Sequence, residues 1–356
     1  MTEPHTLTLS ERDRYSRHIL LPEVGLAGVR KLKAAKVLVV GAGGLGCPVL
    51  QYLTAAGVGT IGIVDFDIVE ESNLQRQILF TPADIGHLKA QVAAAKLSQQ
   101  NPHVHLVDHA LRLNKENVLS LLAGYDLVID GSDNFSTRYL ANDACVMLNK
   151  PLVFGSIYRF EGQVSVFNYQ GGPTYRCLYP EPGALAACSE VGVLGVLPGL
   201  IGTYMANEAL KVILGIGEIL SGKLLVLQAL TLVSNIFSFP VNPANKNIQR
   251  LPDEELLCSA PIPEISFTEL QERILSGDKF TFLDVREEGE HARKNLGGIS
   301  IPSGQLERHI HEIPVDLPIV VYCQSGARSR RAARLLLDCG ITKVINLKGG
   351  LGALTN

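Results

Sequence analysis

What this 356-residue chain lacks narrows its chemistry before any motif is read. It has no long block of lysine and arginine and a net charge of -3, so a nucleic-acid backbone is not an expected partner. No basic segment followed by an apolar core and a cleavage site opens it. Met1 to Ser10 instead reads as a polar tail, which predicts a cytoplasmic protein. No apolar run is clean enough to span a bilayer. The most apolar stretch, Val191 to Gly217, carries Pro198, Glu208, Lys211 and six glycines, which predicts a buried helix and no membrane association. Seven cysteines, an odd number scattered from Cys47 to Cys339, make no disulfide framework. Internal repeats and low-complexity segments are absent too.

What is present suits more than one core, since 46% of the residues are hydrophobic and 19% charged. Strand-like runs alternate with helical ones: Lys36 to Val40, a helix from Cys47, Ile61 to Val64, a helix near Leu88 to Gln99, and Leu127 to Ile129. That alternation predicts an α/β fold with a Rossmann-like, doubly wound, mainly parallel sheet. Gln163 to Asn168 and Leu224 to Leu230, either side of the apolar helix near Leu200 to Leu214, extend it. From Phe239 to Pro263 the texture turns to proline, asparagine and charge, as in a linker. A second alternation then runs through Phe280 to Asp284, Pro318 to Tyr322, a helix over Arg328 to Asp338, and Lys343 to Leu347. The expected domains are 1–240 and a small α/β domain over 264–356, joined by a linker at 241–263.

Strand Val37 to Val40 runs into Gly41-Ala42-Gly43-Gly44-Leu45-Gly46 and then a helix. Glycines let the backbone approach a phosphate, and the helix N-terminus adds free N–H groups and partial positive charge. Asp65, ending the next strand, is placed to bind a ribose hydroxyl. This much serves dinucleotide enzymes and ATP users alike. Arg76 and Lys89 add cationic donors for a triphosphate, and Asp133 a hard oxygen ligand for Mg²⁺. A nicotinamide-dependent oxidoreductase, the rival reading of the glycine loop, needs no such set.

With these residues in place the sequence resembles the MoeB/ThiF family, relatives of the ubiquitin-activating enzymes. The matching segments are Arg14-Tyr15-Ser16-Arg17-His18, VVGAGGLGCPVLQYLTAAGVG, VDFDIVEESNLQRQ, DGSDNFSTRYLANDAC, EGQVSVFNYQGGPTYRCLYPEP and GVLGVLPGLIG, over residues 12 to about 235. The resemblance implies that Gly44, Asp65, Asn73, Arg76, Lys89, Asp133 and Asn134 contact ATP, Asp133 also holding Mg²⁺. It implies that Arg17 reaches into a neighbouring subunit's site, hence a homodimer. Its partner would be a small ubiquitin-like sulfur-carrier protein ending in Gly-Gly, adenylated at that carboxylate.

The remaining cysteines divide by context. Cys188 lies in a polar loop just after the Pro180 to Gly183 stretch, and resembles the family's loop cysteine that bonds covalently to the activated carrier. Cys47 and Cys145, in expected helices, read as packing residues. Family members often hold zinc through two C-x-x-C pairs. Here the first pair would be Thr174 and Cys177, and the second falls in PVNPANKNIQRL, which has no cysteine. One thiol cannot make a tetrahedral sulfur site, so no zinc is expected. Cys258 stands alone in the linker.

At the far end, strand Ile319 to Tyr322 delivers Cys323-Gln324-Ser325-Gly326-Ala327-Arg328-Ser329 to a helix start. Such a loop forms an anion nest that favours a thiolate. A cysteine phosphatase uses five residues between cysteine and arginine. Here there are four. With Leu283-Asp284-Val285-Arg286-Glu287, GISIP and Asn346-Leu347-Lys348-Gly349-Gly350, the segment resembles a rhodanese domain. The resemblance makes Cys323 its sulfur-carrying residue, with Arg328 binding anionic donors. Asp284 and Arg286 are expected to hold the loop in shape. A sulfur donor such as a cysteine desulfurase or thiosulfate would load Cys323. The alternative is a docking domain without sulfur chemistry.

Overall fold

The structure is a computed structural model and describes residues 6–180, 192–251 and 262–355. Cys188 and Cys258 lie outside the described residues. The described residues fall into two compact units, 6–180 with 192–251, and 262–355.

The first unit is built on eight strands: β1 Lys36–Val40, β2 Thr60–Val64, β3 His105–His109, β4 Leu127–Asp130, β5 Leu152–Tyr158, β6 Glu161–Phe167, β7 Lys223–Gln228 and β8 Val233–Ser238. Their order in the sheet is β3-β2-β1-β4-β5-β6-β7-β8. The pairs from β3 to β5 are parallel, and those from β5 to β8 antiparallel. Val37 to Val40 and Ile61 to Val64 are buried along their length, as strands covered by helices on both faces must be. Two core clusters follow, one around Val39, Leu53, Ile63 and Met205, the other around Leu38, Val128, Tyr139 and Phe154.

Helices before β1 (Leu9–Arg14, Ser16–Ile19 and Gly25–Ala34), strand β3, the β5 pairing and edge strand β8 all go beyond the sequence expectation. The apolar helix spans Val196–Leu214, with Pro198 in its first turn, where a missing N–H costs nothing. No helix among the described residues is long and apolar enough to cross a membrane.

The second unit is a five-stranded parallel sheet, with β9 Glu264–Ile265, β10 Thr281–Asp284, β11 Ile299–Ser300, β12 Ile319–Tyr322 and β13 Val344–Leu347 in the order β11-β10-β12-β13-β9. Central strand β12 is wholly buried and ends at Cys323, aimed at the N-terminus of the Ala327–Asp338 helix.

Candidate functional sites

In the first unit the strand order reverses beside β1, whose neighbours β2 and β4 lead away to opposite edges. A crevice outside the carboxyl ends of two such strands is where open α/β sheets bind ligands. Gly41 turns there with φ +93, and a Cβ on it would stand 2.9 Å from the Gly131 carbonyl oxygen. A Cβ on Gly46 would collide with the Gly41 carbonyl. Gly43 and Gly44 stay partly open and face the segment after β2. A Cβ on Gly43 would be 3.6 Å from Gln77 Nε2, and one on Gly44 3.1 Å from Pro198 Cβ and 3.6 Å from Arg76 Cγ. The eleven-residue Gly46–Ala56 helix then aims its N-terminus at the crevice.

Asp65 closes one side of this loop. Its Oδ2 accepts the Ala42 N–H at 2.8 Å and its Oδ1 the Asp67 N–H at 2.9 Å. Burial raises its pKa, against the pull of Lys89 and those two N–H groups. Lys89 is itself buried, and its ammonium reaches Asp67 Oδ2 at 3.0 Å. Arg76 Nη1 donates to the Ser72 carbonyl at 3.1 Å. Asn73 is buried, and its Oδ1 accepts the Glu70 N–H at 3.3 Å, closing that turn. Gln77, to which sequence reasoning gave no role, is buried beside Gly43 with no hydrogen-bond partner for its Oε1. The one sequence signal for it was its place next to Arg76.

From β4 come Asp133 and Asn134, both exposed. Asn134 caps the Phe135–Met147 helix, its Oδ1 accepting the Thr137 N–H at 2.9 Å, and its amide lies 3.5 Å from Asp133 Oδ1. Beneath them Asp130 is wholly buried. Its Oδ1 accepts the Ser132 N–H and hydroxyl, at 3.0 and 2.6 Å, and burial raises its pKa. Arg138 in turn donates to the Ser132 carbonyl and the Ser156 hydroxyl. This buried set fixes the turn that presents Asp133.

Arg17 is exposed in the first turn of the short Ser16–Ile19 helix. Its neighbour Tyr15 packs on Gly57, where a Cβ would strike the ring, and its hydroxyl takes the Asn101 amide at 2.8 Å. Gly57 caps the C-terminus of the Gly46–Ala56 helix. Tyr15, two residues before Arg17, therefore sits at the end of that helix opposite the glycine loop, the helix being about 16 Å long at 1.5 Å per residue.

Cys47 and Cys145 are buried, and burial raises both thiols, Cys47 to about 12. Cys177 differs. Burial alone would raise it, but contacts from Thr174, Asn242 and Asn245 hold it below the ordinary thiol range. Its sulfur lies 3.4 Å from the Thr174 N–H nitrogen and 3.3 Å from that of Asn242, with the Asn245 amide at 3.9 Å. Thr174, Cys177, Asn242 and Asn245 thus meet at one point, as two spaced pairs. Three of them offer the sulfur hydrogen-bond donors where a zinc site needs thiolates or imidazoles, so this donor set does not fit zinc. Among the described residues no cluster of three or more His, Cys, Asp or Glu is arranged to hold a metal.

In the second unit Cys323 is buried at the bottom of its loop. Its Sγ accepts the Gly326 N–H at 3.2 Å and faces the Ser329 hydroxyl at 3.4 Å. Burial raises the thiol, yet donors from Ser329, Ser325 and Gly326 outweigh it and bring the pKa below the usual value. Gly326, at φ +87, lets the loop turn into the helix. Leu351 and Gly352 donate N–H bonds to the carbonyls of Cys323 and Gln324, so the following turn braces the loop. Asp284 and Arg286 form a buried pair at 2.6 Å, and His291 reaches Asp284 at 2.9 Å. Arg328 is engaged by both carboxylate oxygens of Glu290.

Comparison with known proteins agrees with both units. The ThiF family profile matches residues 15–251, and the rhodanese-like domain profile residues 266–356. A probable adenylyltransferase/sulfurtransferase MoeZ of Mycobacterium tuberculosis is 43% identical over 99% of this chain and 95% of its own. A sulfur carrier protein adenylyltransferase of Thermus thermophilus is 56% identical over 63% of this chain and 85% of its own. Among solved structures, E. coli MccB with ATP superposes with a TM-score of 0.56 at 23% identity, covering 65% of this chain and 73% of that one, a likeness of fold.

Proposed function

The chain belongs to the ThiF family, with a rhodanese-like domain following, and from that premise we propose that it adenylates the C-terminal Gly-Gly of a ubiquitin-like sulfur-carrier protein and then transfers to it sulfur held on Cys323. It is an adenylyltransferase with sulfurtransferase activity.

A carboxylate needs no general base, being ionised already, so the first reaction is a matter of positioning and of neutralising negative charge. The carrier carboxylate attacks the α-phosphorus of ATP, and pyrophosphate leaves. In this reading Gly41, Gly43, Gly44 and the helix behind them cradle the phosphates, Asp65 takes the ribose hydroxyls, and Asn73, Arg76 and Lys89 offset phosphate charge. Asp133, with Asn134 beside it, would hold Mg²⁺, which supplies charge neutralisation at the phosphates when bound. The observation that carries the reading is the convergence of the glycine loop, the Asn73 to Gln77 turn and the Asp133 turn at the reversal of the sheet.

Arg17 acts in this reading on the site of a second copy. Two features support that: its place two residues after Tyr15, which packs at the far end of the Gly46–Ala56 helix, and an apolar groove of about 840 Å³ on the same helix, lined by Tyr52, Ile78, Val196, Leu200 and Tyr204. Tyr52, Ile78 and Val196 are each more than half exposed, a patch of the kind that marks an interface.

The sulfur half begins with a persulfide on Cys323. Its outer sulfur attacks the carbonyl carbon of the acyl adenylate, AMP leaves, and an acyl disulfide forms. A second thiolate, assigned to Cys188, attacks the Cys323 sulfur, releasing the carrier thiocarboxylate and leaving a Cys188–Cys323 disulfide that an external dithiol reduces. The donor is a cysteine desulfurase persulfide or thiosulfate. Adenylation is tested by pyrophosphate release from Mg-ATP with candidate carriers. Release should require the carrier's terminal Gly-Gly and fall about 100-fold in Arg76→Ala, the size of losing one transition-state donor. Release that is indifferent to the carrier would refute the proposal.

A further inference from the structure

Within the Cys323 to Arg328 loop the only cation is Arg328, and the fold gives it a partner already. Its Nη1 and Nη2 each donate at 2.7 Å to separate carboxylate oxygens of Glu290. That fork-on-fork geometry is the strongest form of arginine–carboxylate pairing. Glu290 sits on the Glu288–Arg293 helix and is itself fixed, because Oε2 also takes the Glu287 N–H at 3.2 Å in a capping box. The Arg328 guanidinium lowers the Glu290 carboxyl to about 2, so the carboxylate is ionised at any working pH. The Cys323 thiolate and, after it, Glu287 add further negative potential at Arg328.

The consequence lies in what holds the thiolate. Its hydrogen-bond donors are neutral, among them the Gly326 N–H and the Ser329 hydroxyl, while the loop guanidinium acts on it through charge alone, its Nη1 and Nη2 being bonded to a carboxylate. A small free dianion approaching Cys323 would need that guanidinium and would have to compete with a bidentate partner built into the same unit. A sulfur atom carried on an organic thiol brings at most one negative charge to the loop.

We propose that Glu290 is a specificity-determining residue of the Cys323 site: by holding Arg328 it withholds the loop's guanidinium from free dianions and selects donors whose sulfur is carried on an organic thiol. The inference rests on the reading of Cys323 as the sulfur-accepting thiol. In the favoured reaction the Cys323 thiolate attacks the outer sulfur of an organic persulfide. The donor's S–S bond breaks, a new one forms at Sγ, and the thiolate leaving group carries off the electron pair and takes a proton from water. With thiosulfate the leaving group is sulfite.

The test uses the full chain, with Glu290→Gln and Glu290→Ala beside the parent. Glutamine removes the charge and keeps an oxygen for the Glu287 N–H; alanine removes both. Two donors are compared, inorganic thiosulfate and the persulfide of N-acetylcysteine methyl ester, and loading of Cys323 is read by intact mass as the gain of one sulfur atom. The rate ratio, thiosulfate to organic persulfide at low concentration, should rise at least about tenfold in both variants, the worth of one freed charge-assisted hydrogen bond. Added salt should shrink the gain. A ratio that stays the same or falls in both variants would show that Glu290 only props Arg328, and would overturn the inference. Failure of the parent to gain sulfur from either donor is a different outcome: it overturns the Cys323 reading itself.

Discussion

At the residue scale the second unit turns on one thiol whose ionisation is set by hydrogen bonds against burial. Burial raises the Cys323 pKa, and the Ser329 and loop N–H donors more than offset it. Because only the thiolate is nucleophilic, removing a donor must move its titration toward higher pH and slow it at neutrality. In Ser329→Ala, alkylation of Cys323 by iodoacetamide should slow about fivefold at neutral pH, the value of one net hydrogen bond of about 1 kcal/mol. An alkylation profile shifted toward lower pH would contradict this. The cysteine and its loop were legible in the sequence because strand, loop and helix are contiguous there. Glu290 was not, since it lies 38 residues before Arg328 on another helix and no local spacing joins them. Gln77 escaped for a different reason: glutamine carries no charge to flag it, and only its burial beside Gly43 singles it out.

At the scale of elements, the nucleotide crevice depends on chain crossings that only glycine permits. Gly46 lies under the Gly41 carbonyl, whereas Gly43 faces the end of the Gln77 side chain at ordinary contact distance. The two positions should therefore part company. Gly46→Ala is expected to lower stability by about 3 kcal/mol through backbone displacement, and Gly43→Ala to leave it within about 0.5 kcal/mol while weakening ATP binding. Thermal melting with and without ATP distinguishes them; equal melting of both variants would contradict the crossing argument. The parallel half of the sheet was readable because its strands are short apolar runs punctuated by helices. The antiparallel half was read only in part. Strand β5 follows Asn149-Lys150-Pro151 and continues into β6 after a two-residue turn, with Arg159 at φ +54, a hairpin for which the sequence has no asparagine-glycine signal. The asparagine-rich stretch after Phe239, which reads as linker, instead places Asn242 and Asn245 on the Cys177 sulfur, a long-range contact that composition cannot reveal.

At the scale of the whole molecule, joining an activating site and a sulfur-bearing site in one chain keeps donor and acceptor at high effective concentration. If Arg17 serves a second copy, each working site needs Arg17 from one chain and Lys89 from the other. Arg17→Ala and Lys89→Ala should each be inactive alone, yet regain about a quarter of parental activity when mixed and allowed to exchange, because half the dimers are mixed and each has one intact site. No recovery in a mixture shown to exchange subunits would place Arg17 in its own chain's site.

The central claim, that adenylation and sulfur transfer act in series on one carrier, is tested most directly by weighing the carrier. Incubated with the full chain, Mg-ATP and a sulfur donor, the intact carrier should gain the mass difference of one oxygen replaced by sulfur. With Cys323→Ala that gain should vanish while carrier-dependent pyrophosphate release persists. A thiocarboxylate that still forms at the parental rate in Cys323→Ala would contradict the account.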